Sequence, residues 1–249
     1  MKTIGVIPAR FGSTRFPAKV LADIGGKPLV QHVWAKASSC KELDEVLIAC
    51  DHEDIFKVAK AFGAQTVMTD PKHASGSDRI AEAVKAKDVD IVVNIQGDEP
   101  FIDPETVDAL AVLLKQDGQT LMATVIKEIT SEQDFLNPNV VKCVVDQDGN
   151  ALYFSRSPIP HHRGKNFALF PKNYKHLGLY AYRKSFLMEF TKWPKGVLES
   201  AEELEQLRAL EHGVKIKTTI TDHESIAVDT PQDLQKANAW YDKLKSTIG

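Results

Sequence analysis

The chain has 249 residues, and 31 Lys and Arg against 34 Asp and Glu leave a formal charge of −3. With 43% hydrophobic and 26% charged residues it has the balance of a globular protein, without the apolar poverty of a disordered chain or the basic excess of a general nucleic-acid binder. Apolar runs such as Ala109–Leu114 fall far short of the ~20 residues of a membrane span, Thr3–Ile7 is too short for a signal-peptide core, and Cys40, Cys50 and Cys143 form no CxxC pair, so a cytoplasmic chain with reduced thiols, no disulfide frame and no zinc site is expected.

Thr3–Ile7, Glu45–Cys50 and Asp90–Gln96 are short β-branched runs and read as strands. Between them the apolar spacing predicts helices at about Pro28–Ser39, Glu53–Phe62 and Ser77–Ala86. Asp103-Pro104-Glu105 marks another helix start, with Asp103 as N-cap and Pro104 at the first helical position. Strand–helix–strand alternation with nearly continuous apolar strands predicts an α/β fold, a mostly parallel sheet with helices on both faces. In the second half, Val140–Val145 and Ala151–Ser155 read as strands around the turn Asp146–Asn150, and His176–Tyr182 alternates as a further strand. One helix is predicted from about Ser200 to Glu211, with Leu204, Leu207 and Leu210 as its apolar stripe and Gly213 ending it. Lys215–Thr221 reads as a strand, and Thr230-Pro231-Gln232-Asp233 caps a last helix. The expectation is a single domain over 1–249, with an inserted or appended antiparallel part at roughly 140–190.

Three segments follow strands and carry chemistry. Pro8-Ala9-Arg10-Phe11-Gly12-Ser13-Thr14-Arg15-Phe16-Pro17-Ala18-Lys19 gathers three cations, hydroxyls and a glycine at the carboxyl end of the first strand, where open α/β sheets bind ligands. Arg10, Arg15 and Lys19 with backbone N–H groups would suit a triphosphate; a charged surface loop is the plainer reading. The segment is not a Walker A sequence, and no G-x-G-x-x-G follows the strand. Gln96-Gly97-Asp98-Glu99-Pro100 ends the third strand, and Asp98 there could bind a hard cation such as magnesium or simply make a turn. Asp229, before the last helix, could add a second carboxylate or serve helix initiation. Ala74-Ser75-Gly76-Ser77-Asp78-Arg79 opens a helix, and its hydroxyls could meet a base or just cap. Arg156, His176 and Tyr180 on strand-like segments could hold an acidic sugar, although a strand Arg or His is more often just hydrogen-bonded or exposed, while Glu202–Arg208 reads by default as a solvated helix face.

Taken together, Ile7-Pro8-Ala9-Arg10, Gln96-Gly97-Asp98-Glu99-Pro100, Ala151-Leu152-Tyr153-Phe154-Ser155-Arg156, His176-Leu177-Gly178-Leu179-Tyr180, Leu204-Glu205-Gln206-Leu207-Arg208 and Val228-Asp229-Thr230-Pro231 resemble, in this order and over nearly the whole chain, the 3-deoxy-manno-octulosonate (Kdo) cytidylyltransferase family, also called CMP-Kdo synthetases. The resemblance implies a Rossmann-like nucleotidyltransferase core with a smaller antiparallel dimerisation and sugar-binding part. It implies CMP transfer from CTP to the anomeric hydroxyl of Kdo with release of pyrophosphate, a Mg2+ cofactor, a homodimer and a place in lipopolysaccharide synthesis. Residue by residue, it implies that Pro8, Ala9, Arg10, Lys19, Ser75, Gly76, Gln96 and Asp98 bind the nucleotide. Asp98 and Asp229 would hold the metal, with Arg10, Lys19, Asp98 and Asp229 carrying the catalysis. Arg15, Gln96, Arg156, His176, Tyr180, Glu205 and Gln206 would bind the sugar. The family's first loop commonly reads Arg-Leu-Pro-Gly-Lys-Pro, where this chain has Arg15-Phe16-Pro17-Ala18-Lys19-Val20; a positive φ at Ala18 would therefore cost strain. The rival readings are a cytidylyltransferase for 8-amino-Kdo or a sialic acid, and a non-catalytic nucleotide-binding regulator on the same fold. A nicotinamide dehydrogenase is disfavoured by the missing glycine fingerprint.

Overall fold

β1 (Thr3–Ala9) runs through the middle of the molecule, and its alternation explains the layering. Ile4 and Val6 point to one face and Ile7 and Ala9 to the other, and all four are fully buried. A strand buried on both sides requires helices on both faces. The computed structural model describes residues 1–12, 16–163, 167, 172–224 and 226–248. After β1 the chain forms a 3-10 turn (Lys19–Leu21), the short hairpin strands β2 (Asp23–Ile24) and β3 (Lys27–Pro28), then α1 (Leu29–Ala37), β4 (Glu45–Cys50), α2 (Glu53–Ala61), β5 (Gln65–Met68), α3 (Gly76–Val84) and β6 (Ile91–Asn94). It continues through α4 (Pro104–Gln116), β7 (Met122–Glu128), α5 (Glu132–Leu136), β8 (Lys142–Val145), β9 (Ala151–Ser155) and β10 (Tyr174–Arg183). It closes with α6 (Lys184–Phe190), α7 (Val197–Glu202), α8 (Gln206–Glu211), β11 (Ile216–Ile220) and α9 (Pro231–Ile248).

The main sheet has the order β5-β4-β1-β6-β10-β7-β11. Its pairs are parallel except where β10 runs antiparallel between β6 and β7. The β8–β9 hairpin extends antiparallel from β10. This is the mostly parallel α/β sheet with an antiparallel part that the sequence predicts. One core packs α1, α2, α4 and α9 on the sheet; the other packs α3, α6 and α8. Cys40, Cys50 and Cys143 are buried and free. Burial pushes Cys40 and Cys143 up to about 12 and Cys50 up to about 11, so these thiols stay protonated and unreactive. Among the described residues no helix is long and apolar enough to cross a membrane.

Two expectations need correction. The helix predicted from Ser200 to Glu211 is two helices, because Glu203 adopts φ 53 and ψ 49 between α7 and α8. The cause is a buried ion pair: Arg208 donates through Nε and Nη2 to the two carboxylate oxygens of Glu199, at 2.7 Å each. Nine residues of continuous helix would separate the two by about 13.5 Å, so the pair closes only if the chain turns back. The strands β5 and β7 were also not anticipated. β5 is a short edge strand with little burial, and β7 is a buried run without alternation, which periodicity alone does not separate from a helix even with Asp117-Gly118 before it.

Asp103 caps α4 as the sequence predicts, accepting hydrogen bonds from the backbone N–H groups of Glu105 and Thr106 and from the Thr106 hydroxyl. Burial alone would raise its pKa, but the bonds from Thr106 and Glu105 outweigh it and hold the carboxyl below its usual value. Asp103→Ala is expected to lower the unfolding free energy by about 1 kcal/mol at neutral pH. That contribution is whole above about pH 4 and is lost as the pH falls through the depressed native pKa. In urea unfolding the gap between wild type and variant should shrink as the pH is taken down to about 3; a constant gap would contradict the cap's ionic character.

Candidate active site

The parallel β1 and β6 pair in register, Val6 opposite Asn94, so their carboxyl ends deliver Pro8–Arg10 and Gln96–Asp98 side by side. The approach is close: a Cβ on Gly97 would lie 2.7 Å from the Pro8 carbonyl oxygen, so only glycine fits there. The N-terminus of α3 opens onto the same place, with Ser75 as N-cap in a capping box with Asp78. Together these segments enclose a cleft of about 310 Å3 lined by Pro8, Arg10, Lys19, His73, Ser75, Gly76, Arg79, Gln96 and Asp98, among others.

Lys19 enters through Ala18, which adopts φ 54 and ψ 26 at the head of the 3-10 turn. The positive φ foreseen for this substituted glycine position is present, at a cost of about 1–2 kcal/mol for a residue with a Cβ. Lys19 Nζ donates to Asp98 Oδ2 at 2.6 Å and to Asp229 Oδ1 at 2.8 Å. Burial lowers the Lys19 pKa, but the two carboxylates override it and the net direction is upward. Asp229 is brought here by the segment leading into α9: Val228 N–H donates to the Asp98 main-chain oxygen at 2.9 Å, and Thr230 and Asp233 form a reciprocal cap. Two carboxylates converging on one cation at the edge of this cleft form a hard oxygen donor pair of the kind that fits a divalent ion.

Asp51, just past the end of β4, ties the cleft's two walls together and was missed in the sequence. Its Oδ1 accepts the Phe11 N–H at 2.8 Å, and its Oδ2 pairs with Arg79 at 3.0 Å. Arg79 also donates to Thr69 Oγ1 at 2.6 Å, and the Phe11 ring stacks on His52 with centroids 3.9 Å apart. One carboxylate therefore sets the spacing between the loop carrying Arg10 and the helix carrying Ser75. The signal that could have found it is its position: Asp51 follows β4 as Asp98 follows β6.

A second polar group lies on the α3–α8 face, adjoining the cleft through Ser75, which also lines a neighbouring cavity of about 540 Å3 with Asp78, Trp193, Glu199, Glu205 and Arg208. Ser77 Oγ donates to Glu205 Oε2 at 2.6 Å, and burial pushes the Glu205 carboxyl up despite the Ser77 and Ser75 hydrogen bonds. Gln206 Nε2 and Asn94 Oδ1 are shut off from solvent with no hydrogen-bond partner, and Glu205 Oε1 is held by an ion pair to Arg208 Nη2 at 3.6 Å. Tyr180 lies opposite Asn94 in the β10–β6 pairing, and burial holds its hydroxyl protonated. His176 meets Thr124 Oγ1 at 2.9 Å and packs against Phe154 and Tyr180. Gln96 bridges the two groups by donating to the Gly178 carbonyl at 2.7 Å.

Of the residues singled out in the sequence, Pro8, Arg10, Lys19, Ser75, Gly76, Gln96 and Asp98 meet in the cleft, with Asp229 joined through Lys19. The Ala9 side chain is fully buried in the core, leaving only its backbone near the cleft. Arg15 lies outside the described residues. Arg156, His176, Tyr180 and Gln206 line neither cavity; the Arg156 guanidinium donates to the carbonyls of Glu202 and Pro138, and its own carbonyl accepts from buried Lys142. Ser77 and Asn94, like Asp51 and Arg79, join the site only through tertiary contacts.

Asp51→Ala is expected to weaken triphosphate binding about tenfold or more, since the Arg10 loop loses its anchor, and to lower stability by about 3–5 kcal/mol by leaving Arg79 buried and unpaired. Asp51→Asn, which keeps an acceptor for Phe11, should recover part of the binding; calorimetric titration with CTP checks both, and unchanged affinity in Asp51→Ala would remove the anchor role. Burial pushes His176 down to about 3. Its ring should therefore stay neutral between about pH 5 and 8 by nitrogen NMR, and a midpoint near the ordinary value of about 6.5 would contradict its packing.

The sequence pattern of the cytidylyltransferase family matches residues 4–216. A 3-deoxy-manno-octulosonate cytidylyltransferase of Thermodesulfovibrio yellowstonii is 49% identical over 95% of this chain and 97% of its own length. One of Geobacter sulfurreducens is 47% identical over 98% of this chain and 100% of its own length. A solved structure of a CMP:2-keto-3-deoxy-manno-octonic acid synthetase complexed with CTP matches with a TM-score of 0.93 at 40% identity, covering 98% of this chain and 99% of that one. With its cleft at the carboxyl ends of β1 and β6 and this similarity over nearly its full length, the chain belongs to the 3-deoxy-manno-octulosonate cytidylyltransferases.

Proposed function

We propose that this chain transfers CMP from CTP to the anomeric hydroxyl of Kdo and releases pyrophosphate, with Mg2+ as cofactor. The observation that carries this reading is the convergence of Asp98 and Asp229 on Lys19 at the edge of a cleft that adjoins a second group of buried polar side chains. The first half suits a triphosphate and a metal, and the second suits a polyhydroxylated acid. Asn94 Oδ1 would serve as an acceptor for a sugar hydroxyl, and Gln206 Nε2 as a donor for a carboxylate or hydroxyl. A ligand that pairs these atoms recovers the desolvation penalty they carry, and one lacking matching groups does not.

In the reaction the anomeric hydroxyl releases its proton to solvent as its oxygen bonds to the α-phosphorus, while the bond from that phosphorus to the bridging β-phosphate oxygen breaks, so pyrophosphate leaves in line. The chain's task is positioning and charge stabilisation. Arg10 and Lys19 would offset the charge that builds on the leaving pyrophosphate, and the α3 N-terminus with Ser75 and Gly76 would seat the nucleoside end. Asp98 and Asp229 would hold Mg2+, which when bound supplies Lewis-acid stabilisation of the phosphate charge. Neutral His176 and protonated Tyr180 would present fixed hydrogen-bonding groups to the sugar rather than exchange protons with it. The family resemblance adds a cytoplasmic homodimer serving lipopolysaccharide synthesis, with the antiparallel part at roughly 140–190 supplying the subunit contact.

Pyrophosphate release should require CTP, Mg2+ and Kdo together. Asp98→Ala should keep a wild-type circular dichroism spectrum and lose activity by about a hundredfold or more. Near-normal turnover in that variant would end the metal role of Asp98, and release with another acidic sugar but not Kdo would move the substrate while keeping the chemistry.

A further inference from the structure

The position between Asp98 and Asp229 is filled by a cation of the protein's own. Lys19 Nζ reaches one oxygen of each carboxylate, and its side chain is only 12% exposed. The carboxylates do not owe their proximity to the lysine. Asp98 follows β6 in the sheet, Asp229 precedes the capped α9, and the Val228–Asp98 backbone hydrogen bond fastens the two segments to each other. Two like charges held together by the backbone demand a counter-cation whatever Lys19 does. The base of the lysine is equally fixed, since Leu21 N–H and Ala22 N–H close the 3-10 turn onto Ala18 and Lys19 carbonyls. Only the flexible four-carbon stem is able to move, and an ammonium on such a stem exchanges partners readily.

We propose that Lys19 keeps the metal position shut in the nucleotide-free protein and opens it when a nucleoside triphosphate arrives. The inference rests on the reading that Asp98 and Asp229 bind the metal. An ammonium 2.6–2.8 Å from both carboxylates leaves no room for a divalent ion using the same oxygens. It also leaves a net charge of −1 on the trio, half of what a divalent ion would neutralise. Phosphates lying along Arg10 draw the ammonium away, since Lys19 lines the same cleft and the phosphate oxygens offer it anionic partners there. The carboxylates then stand at −2 and take the divalent ion that the triphosphate carries. Departure of pyrophosphate reverses the exchange: Lys19 returns to the carboxylates and the metal leaves. Metal and nucleotide therefore enter and leave together, and the protein does not load metal alone.

The test is Mn2+ binding to the full chain without nucleotide, read from the loss of the free-ion paramagnetic resonance signal. Wild type and Lys19→Arg, which retains a cation, should bind weakly. Lys19→Met should bind Mn2+ about tenfold more tightly or better, as expected when an opposing charge is removed from a carboxylate pair. Adding Asp98→Asn to Lys19→Met should return binding to the wild-type level. Dichroism and a melting curve on each variant establish that it is folded. Equal affinity in wild type and Lys19→Met would overturn the proposal, as would tight binding by Lys19→Arg. The metal reading is judged separately on the protein saturated with CTP. If Asp98→Asn reduces Mn2+ uptake there while Lys19→Met changes nothing without CTP, the metal site stands and the lysine gate falls; if no protein-dependent uptake occurs in any sample, both fall.

Discussion

The parallel pairing of β1 with β6 decides where chemistry is possible in this protein. Both strands are buried on two faces, so their polar consequences can appear only at their ends. Parallel pairing puts both carboxyl ends at one edge, and a glycine at position 97 lets the following segments touch. From that one constraint follow the cleft, the placement of Arg10 and Asp98, and the convergence of the α3 N-terminus on the same volume. Asp229 is then added by a backbone hydrogen bond rather than by sheet pairing. The strained Ala18 and the buried Asp51–Arg79 pair are costs borne at this edge, and each holds a loop in a position that propensity alone would not select.

The antiparallel β10 supplies the complementary half. By running between β6 and β7 it lays Tyr180 and Tyr182 beside Asn94 and carries His176 into contact with Phe154 and Tyr180. Burial there suppresses ionisation of His176 and of both tyrosines. The nucleotide side is instead dense in charge. Uncharged His176, Tyr180 and Tyr182 on β10, beside the Glu199–Arg208 pair, contrast with the cation-rich cleft and match the two substrates of the family, a sugar that must be oriented and a triphosphate whose charge must be offset.

Sequence legibility followed the range of the interactions involved. Glu45–Cys50 and Ala151–Ser155 are found with their predicted bounds, and the Asp103 and Thr230 caps are found where local side-chain chemistry puts them. These signals are complete within a few residues. The break at Glu203 depends on an ion pair closed across the turn, and no periodicity in Ser200–Glu211 reports it. Within the candidate site, Arg10, Lys19, Asp98 and Asp229 were legible because each follows or precedes an element end and because the ordered motifs resemble a family. Asp51 was not singled out, Asn94 was not given a role, and Ser77 and Arg79 were read only as part of a helix-opening segment, since each draws its role from a partner distant in sequence. The meeting of Lys19 with both carboxylates is likewise a property of the fold alone.

The central claim is that the Asp98–Asp229 pair is a metal position shared with Lys19 and emptied of it by nucleotide. A crystal structure with CTP and Mn2+, with the metal located by its anomalous scattering, addresses this most directly. The account predicts a manganese peak between Asp98 and Asp229 and the Lys19 ammonium on the phosphates. A peak elsewhere, or an ammonium still seated between the two carboxylates while CTP fills the cleft, would contradict it.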